Sequence, residues 1–214
     1  METYHKIQTV FKRDPATRHK TLLEGQYSIP EFEYLKDNMW VFTEKVDGTN
    51  IRIMWDGKEI SYGGKTDRAD LHKDLVARLH DLFDNETSYF EEMFVNTTND
   101  PTQVCLYGEG YGAGIQKGGG NYQEYKDFVL FDVKVGDLWL ERKNVLEISA
   151  NLGISIVPVI ATGTLDDMVS MTRAGFKSQW GDFEAEGIVA RPSTEMRTRR
   201  GDRVITKIKC KDFK

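Results

Sequence analysis

From Asn38 to Ser61 apolar residues alternate with polar ones or run together: Trp40, Val41 and Phe42, then Ile51, Ile53 and Trp55, with Asp47-Gly48 and Asp56-Gly57 between the runs. A period of two punctuated by Asp-Gly predicts strands joined by hairpin turns, hence an antiparallel ribbon. From Ala69 to Phe83 the period changes. Leu71, Leu75, Val76, Leu79, Leu82 and Phe83 fall at helical spacing, and Ser88 to Val95 predicts a shorter helix. Val104 to Tyr107 and Phe128 to Val135 predict strands, Glu141 to Asn151 a helix, Ile154 to Ile160 a strand and Thr164 to Arg173 a helix. Gly187 to Arg191 and Val204 to Cys210 are the last two predicted strands. The sum is an α+β fold built on antiparallel sheets flanked by helices. With no repeat, heptad run or linker composition, one domain over residues 1–214 is expected, with no further domain appended.

Composition narrows the class. The chain has 214 residues, 39% hydrophobic and 29% charged, which suits a packed globule rather than a disordered segment. No run approaches the ~18 apolar residues of a membrane span, and the stretch from Met1 to Lys6 lacks the apolar core of a secretion signal, so a cytoplasmic chain without a membrane partner is expected. Cys105 and Cys210 lie far apart, which supports neither a disulfide framework nor a Cys-rich zinc site. The sequons at Asn85 and Asn96 are then chance matches. His72 and His80 lack a third ligand nearby and read as surface positions.

A net charge of −5 argues against a polyanionic partner only as an average. From Arg191 to Lys214 nine Lys or Arg face three acids, a local +6 that leaves −11 upstream. That end, with Arg191, Arg197, Arg199, Arg200 and Arg203, is a candidate anion-facing surface; a solvated charged tail is the alternative.

Four short segments could carry chemistry. In Thr43-Glu44-Lys45-Val46-Asp47-Gly48-Thr49-Asn50 a lysine sits at a strand end before a tight turn, a pattern that alone is common. Tyr107 to Gly120 is dense in glycine around the single acid Glu109, permitting close backbone approach to a ligand or making a mobile loop. Gly64-Lys65-Thr66 ends like a P-loop, but Glu59 stands where that motif needs glycine, and a P-loop is rejected. Glu186 precedes the apolar run Gly187-Ile188-Val189. Strand alternation through Ile205 to Lys211 puts Lys207, Lys209 and Lys211 on one face, where they repel unless an anion lies between them. Edge-strand lysines that block aggregation are the other reading.

In order, Lys-x-Asp-Gly, Tyr-Gly-Glu, Phe131-Asp132, Glu-Gly-Ile-Val and Lys-x-Lys resemble the motif set of the covalent nucleotidyltransferases, the polynucleotide ligases and mRNA capping enzymes. The match is most similar to the nick-sealing RNA ligase group of phages and RNA-editing complexes. Its Glu-Lys-x-x-Gly-x-Asn pattern is present as Glu44, Lys45, Gly48 and Asn50, and its Gly-Glu-x-x-Gly-x-Gly-Ile-Gln signature as Gly108, Glu109, Gly112, Gly114, Ile115 and Gln116.

The resemblance implies an ATP-dependent RNA ligase acting through lysyl-AMP on Lys45, assisted by Lys207 and Lys209. It implies nucleotide contacts from Glu44, Asn50, Lys65, Glu109, Phe131 and Glu186, with Phe131, otherwise a core candidate, stacked on adenine. Asp47, Glu109 and Glu186 would hold Mg²⁺ (or Mn²⁺) mainly through water, since magnesium keeps most of its hydration. An amine attacks a phosphate only when neutral; the positive charge of Lys207 and Lys209, metal and burial favour that form, and Glu44 opposes it unless turned away. RNA ends or a nicked duplex are the expected partners, contacted through Arg191, Arg197, Arg199, Arg200 and Arg203, with an RNA end-healing enzyme a further one. The alternatives are a DNA ligase or capping guanylyltransferase of the same superfamily, or a non-catalytic nucleic-acid-binding module, which would need no Lys45.

Overall fold

The computed structural model describes residues 3–94 and 102–214, so Val95, the expected end of the second helix, and the sequon at Asn96 lie outside the described residues. Among the described residues the chain begins β1 (Gln8–Thr9), β2 (Phe11–Arg13), β3 (Leu22–Tyr27), α1 (Pro30–Tyr34), β4 (Trp40–Glu44), β5 (Thr49–Trp55) and β6 (Ile60–Gly63). It continues with α2 (Lys73–Phe83), α3 (Thr87–Phe94), β7 (Val104–Tyr111), β8 (Asp127–Val135), β9 (Leu138–Trp139) and α4 (Arg142–Asn151). The last elements are β10 (Ser155–Ile156), β11 (Val159–Gly163), α5 (Leu165–Ala174), β12 (Gly187–Pro192) and β13 (Thr206–Lys209). The class is α+β, as expected, with two additions: β1 runs parallel to β13, and β10 parallel to β8.

The chain divides into two compact units. One comprises the described part of Met1–Tyr4 with Asp47–Val157, the other His5–Val46 with Pro158–Lys214. The first is built on a six-stranded sheet in the order β10-β8-β7-β5-β6, with β9 on the edge of β8. Ile51, Ile53, Leu106, Phe128 and Leu130 project from one face onto Leu75, Leu79 and Phe83 of α2 and Val145 and Ile148 of α4, all buried. Each such side chain contributes roughly 1.5–3 kcal/mol of burial. The alternation therefore turns Asn50, Arg52, Tyr107 and Glu109 to the opposite face.

The second unit carries a five-stranded sheet, β1-β13-β12-β4-β11, beside the β2-β3 hairpin. Trp40, Phe42, Ile188 and Ile208 pack with Phe32, Leu165 and Met168 into its core. Thr164 starts α5 with a capping box: its hydroxyl accepts from Asp167 N at 3.1 Å, while Asp167 Oδ2 accepts from Thr164 N at 2.8 Å.

Three expectations are corrected. The run from Asn38 to Ser61 is no single ribbon, because β4 pairs with β12 and β11 whereas β5 pairs with β7 and β6. Asp56-Gly57 does turn a hairpin, but Asp47-Gly48 joins two sheets. There Gly48 lies so near β7 that a Cβ would sit 2.2 Å from Gly110 O. Ile154 to Ile160 likewise splits: β10 belongs to one unit and β11 to the other, and Pro158 between them has no N–H to continue a ladder. The last strand stops at Lys209, and Lys211 lies on the 3₁₀ turn Cys210–Phe213 rather than on the strand face with Lys207 and Lys209.

Candidate active site

Register builds one row of charges in the second unit. Gly187 at the start of β12 is opposite Lys209 on β13, and Ile188 is opposite Glu44 on β4. Lys45 N extends the β4 ladder by donating to Gly187 O at 2.9 Å. Glu186, one residue before β12, is thereby flanked by a lysine from each neighbouring strand. Lys45 Nζ is 2.5 Å from Glu186 Oε2, and Lys209 Nζ is 2.5 Å from Oε1. All three side chains are largely covered, at 19%, 10% and 24% exposure for Lys45, Glu186 and Lys209. The strands come close enough because position 187 is glycine: a Cβ there would lie 2.1 Å from Ile208 O. Lys207 shares the Lys209 side of β13 and is half-buried.

Glu44 is turned away from this row. Its carboxylate, on a residue only 1% exposed, accepts from Ser178 Oγ at 2.5 Å and from Gln179 N at 2.8 Å. Burial pushes its pKa up, and the two hydrogen bonds counter this in part.

In the first unit the expected residues fall on the sheet face opposite the core. Asn50 and Glu109 stand opposite one another across β5 and β7. Asn50 Oδ1 is buried without a hydrogen-bond partner, a costly condition for an amide oxygen. Tyr107 pairs with Asp132 and Gly108 with Leu130, so Phe131 is the extra residue of a β-bulge. It is half-buried and lies outside the apolar core. Lys65 is exposed on the loop after β6.

Asp47 follows Val46 into the first unit. Its N–H donates to Tyr122 Oη at 3.0 Å, and Gln116 Nε2 donates to Gly48 O at 3.0 Å. The glycine-rich stretch therefore divides: Gly108-Glu109-Gly110 is strand, and the segment beyond Tyr111 folds back to hold the Asp47-Gly48 turn. Among the described residues no three or more His, Cys, Asp or Glu side chains gather as an ion site.

Sequence reading missed three supports. Tyr4 donates to Asp132 Oδ2 at 2.5 Å and sets its ring edge-on to Phe131 at 5.0 Å. Arg52, fully buried, donates from Nε to Gly64 O at 2.8 Å and from Nη2 to Asp67 Oδ1 at 2.6 Å, tethering the Lys65 loop. Tyr122 is the third. An arginine inside an apolar strand pattern was the one local signal available, whereas Tyr4 and Tyr122 act across long sequence separations.

A family model described as RNA ligase matches residues 38–209. The chain belongs to the RNA ligase family. Solved structures of the Naegleria gruberi RNA ligase share its fold. An arginine-to-alanine variant with ATP and Mn superposes at a TM-score of 0.67 and 18% identity, covering 98% of this chain and 56% of that one. The form with PPi gives 0.65 and 18%, covering 98% and 57%, and a lysine-to-alanine variant with ATP and Mn gives 0.64 and 19%, covering 99% and 64%. The chain thus spans 56% to 64% of the length of these structures. Among curated proteins none matches.

The structure sorts the basic stretch from Arg191 to Arg203. Arg203 is buried and donates to Glu195 Oε1 at 2.8 Å, while Arg191 Nη1 lies 3.8 Å from the same oxygen. Arg197, Arg199 and Arg200 are exposed on the loop between β12 and β13, which Thr198 N closes onto Asp202 O at 2.8 Å. This loop leaves the sheet where Pro192 is opposite Trp40, at the end of β12 remote from Glu186. Among the described residues no helix is long and apolar enough to cross a membrane.

Proposed function

We propose that this RNA ligase family member takes AMP from ATP onto Lys45 and uses it to join a 5′-phosphate RNA end to a 3′-hydroxyl. The observation that supports this most strongly is the row in which Glu186 holds Lys45 and Lys209 through its two oxygens. A lysine so held is fixed in place, so Glu186 must release it, and its nitrogen must give up a proton to solvent, before it attacks.

The Nζ–Pα bond then forms as the bond from Pα to the bridging oxygen breaks, and pyrophosphate departs carrying the electron pair. Lys209, with Lys207 beside it, would offset the charge that gathers on the phosphate oxygens. Phe131 offers its ring to adenine, Glu109 approaches the ribose and Asn50 brings its unpartnered amide oxygen to the nucleotide. Lys65 reaches the sugar or phosphates from its exposed loop. Glu44 contributes by seating the 178–179 turn rather than through a free carboxylate.

A divalent cation would neutralise phosphate charge. With both Glu186 oxygens occupied by lysines and no cluster of three ligands among the described residues, Asp47, Glu109 and Glu186 suit contact through water rather than a protein cage. In the later steps Lys45 releases AMP to the 5′-phosphate, and the 3′-hydroxyl then displaces it. Sealing of a nicked duplex in the phage manner, and pairing with an RNA end-healing enzyme, are the finer parts of the proposal.

The test is intact mass after pyrophosphate stripping and incubation with ATP and magnesium. One added AMP, absent in Lys45→Ala, is expected. No adduct at any pH overturns the enzyme in favour of a binding module, and GMP added in a parallel incubation with GTP, with no AMP added from ATP, favours a capping enzyme.

A further inference from the structure

Within residues 11–20 Lys12, Arg13, Arg18 and Lys20 stand against the single acid Asp14. β2 and β3 fold this stretch into a hairpin, Phe11 opposite Tyr27 and Arg13 opposite Leu22. At its tip Arg18 and His19 both take positive φ, 56° and 61°. That conformation costs an L residue roughly 1–2 kcal/mol. Asp14 holds it: its carboxylate accepts from Ala16 N at 2.8 Å, and its carbonyl accepts from His19 N at 2.9 Å and Thr17 Oγ1 at 3.0 Å. The hairpin packs Phe11, Leu22 and Tyr27 into the core of its unit and leaves Lys12, Arg18, His19 and Lys20 exposed.

Register fixes where this hairpin sits in its unit. β1 runs parallel to β13, Thr9 opposite Lys207, and Val10 N continues onto Lys207 O at 3.1 Å. The chain therefore reaches the hairpin at the Lys209 end of β13. Arg13 Nη2 then pairs with Asp212 Oδ1 at 2.8 Å, and Asp212 Oδ2 accepts from Lys209 N at 3.1 Å. One carboxylate thus joins the root of the hairpin to the residue whose ammonium shares Glu186 with Lys45. The Arg197 to Arg200 loop leaves the opposite end, five residues along β12 from Gly187, or roughly 17 Å at a strand's rise.

We infer that the hairpin Phe11–Tyr27 is a phosphate-contact surface for the RNA being joined, with Lys12, Arg18 and Lys20 as its contacts. The inference rests on the ligase reading for its choice of RNA. The charge favours a polyanion, as does a tip whose exposed apolar side chains are only the small Pro15 and Ala16, and the anchor at Lys209 puts that polyanion where its end must react.

The experiment is fluorescence anisotropy of a nicked RNA duplex bearing a 5′-phosphate, titrated over roughly 50–200 mM salt with wild type, K12Q/R18Q/K20Q and K12R/R18K/K20R. Loss of three phosphate contacts should lower the slope of log K against log salt by about 2–3 and weaken low-salt binding at least tenfold. The charge-conserving variant should bind like wild type, because charge and not residue identity is read. Unchanged affinity and slope in the glutamine variant overturn the inference. The wild-type AMP adduct tests the underlying reading separately: no adduct, with RNA affinity still lost in the glutamine variant, overturns the ligase and keeps the surface. An adduct with an unchanged slope does the reverse.

Discussion

The two units hold their candidate site residues in opposite conditions. In one, the row around Glu186 is saturated with charge: Lys45 and Lys209 occupy both oxygens of Glu186, and even the buried Glu44 is fully engaged by Ser178 and Gln179. In the other, the sheet face holding Asn50, Glu109 and Phe131 leaves a buried amide oxygen unpartnered and a half-covered aromatic ring on a bulge. Saturation suits a nucleophile that must be kept in place until an anionic substrate competes for its partners. Incompleteness suits a surface that a neutral nucleoside will finish, since a buried polar group without a partner costs about 1–3 kcal/mol until one arrives.

The comparison breaks first at Lys45. Lys45→Ala should abolish the AMP adduct entirely, and Lys45→Arg should do the same, because a guanidinium keeps its proton and cannot attack. Mass spectrometry reads both. Glu186→Gln comes next. It leaves two adjacent ammonium groups with a neutral amide, and adduct formation measured by quench should slow roughly 10²–10³-fold, the scale on which one preorganised electrostatic partner is felt. A Glu186→Gln rate within a factor of two of wild type would mean that the row is only structural.

Changes on the first unit's face should be milder and should appear in the requirement for ATP. Phe131→Ala removes a stacking surface worth about 1–3 kcal/mol per base, so half-saturation should rise roughly 5–150-fold with a smaller change in maximal rate. Phe131→Leu separates stacking from packing: it keeps apolar volume, and restoration of full affinity by leucine would remove the stacking role. Asn50→Ala should cost roughly 2–12-fold, the scale of a hydrogen bond between neutral groups, about 0.5–1.5 kcal/mol.

How much of this was legible follows from how far each feature reaches. The apolar alternation in β5 and β8 and the helical spacing in α2 are local, and the sequence pattern marks them with small errors at their ends. The sheet membership of β4 and β5 is not local. Asp47-Gly48 has hairpin chemistry, yet its glycine answers to Gly110 O rather than to a turn. Nothing near residues 11–27 marks a hairpin, because its strands are short and mixed and its fixing pair, Arg13 with Asp212, closes across nearly the whole chain. Motif order identified Lys45, Glu186 and Lys209, but their meeting depends on pairings such as Lys45 with Glu186, 141 residues apart. The arginines show the same limit: composition counted five equally, and only the structure shows Arg203 buried on Glu195 and the loop leaving from the remote end of β12.

The finest test concerns Glu44, where the saturated unit carries a cost. Its carboxylate is held by two donors but buried, and burial dominates, raising its folded-state pKa above the ordinary 4.5. A group raised in this way stabilises the fold fully at pH below the ordinary value, and that contribution is lost as pH climbs through the folded value. Glu44→Gln removes the titration yet can still accept from Gln179 N and donate to Ser178 Oγ. Relative to wild type, the variant should therefore gain stability as pH rises from 4 toward neutrality, by no more than about 1 kcal/mol, the scale of one exchanged hydrogen bond. Unfolding midpoints of both proteins at acid and neutral pH measure this. Parallel pH dependences would show that the two donors have already cancelled the cost of burial.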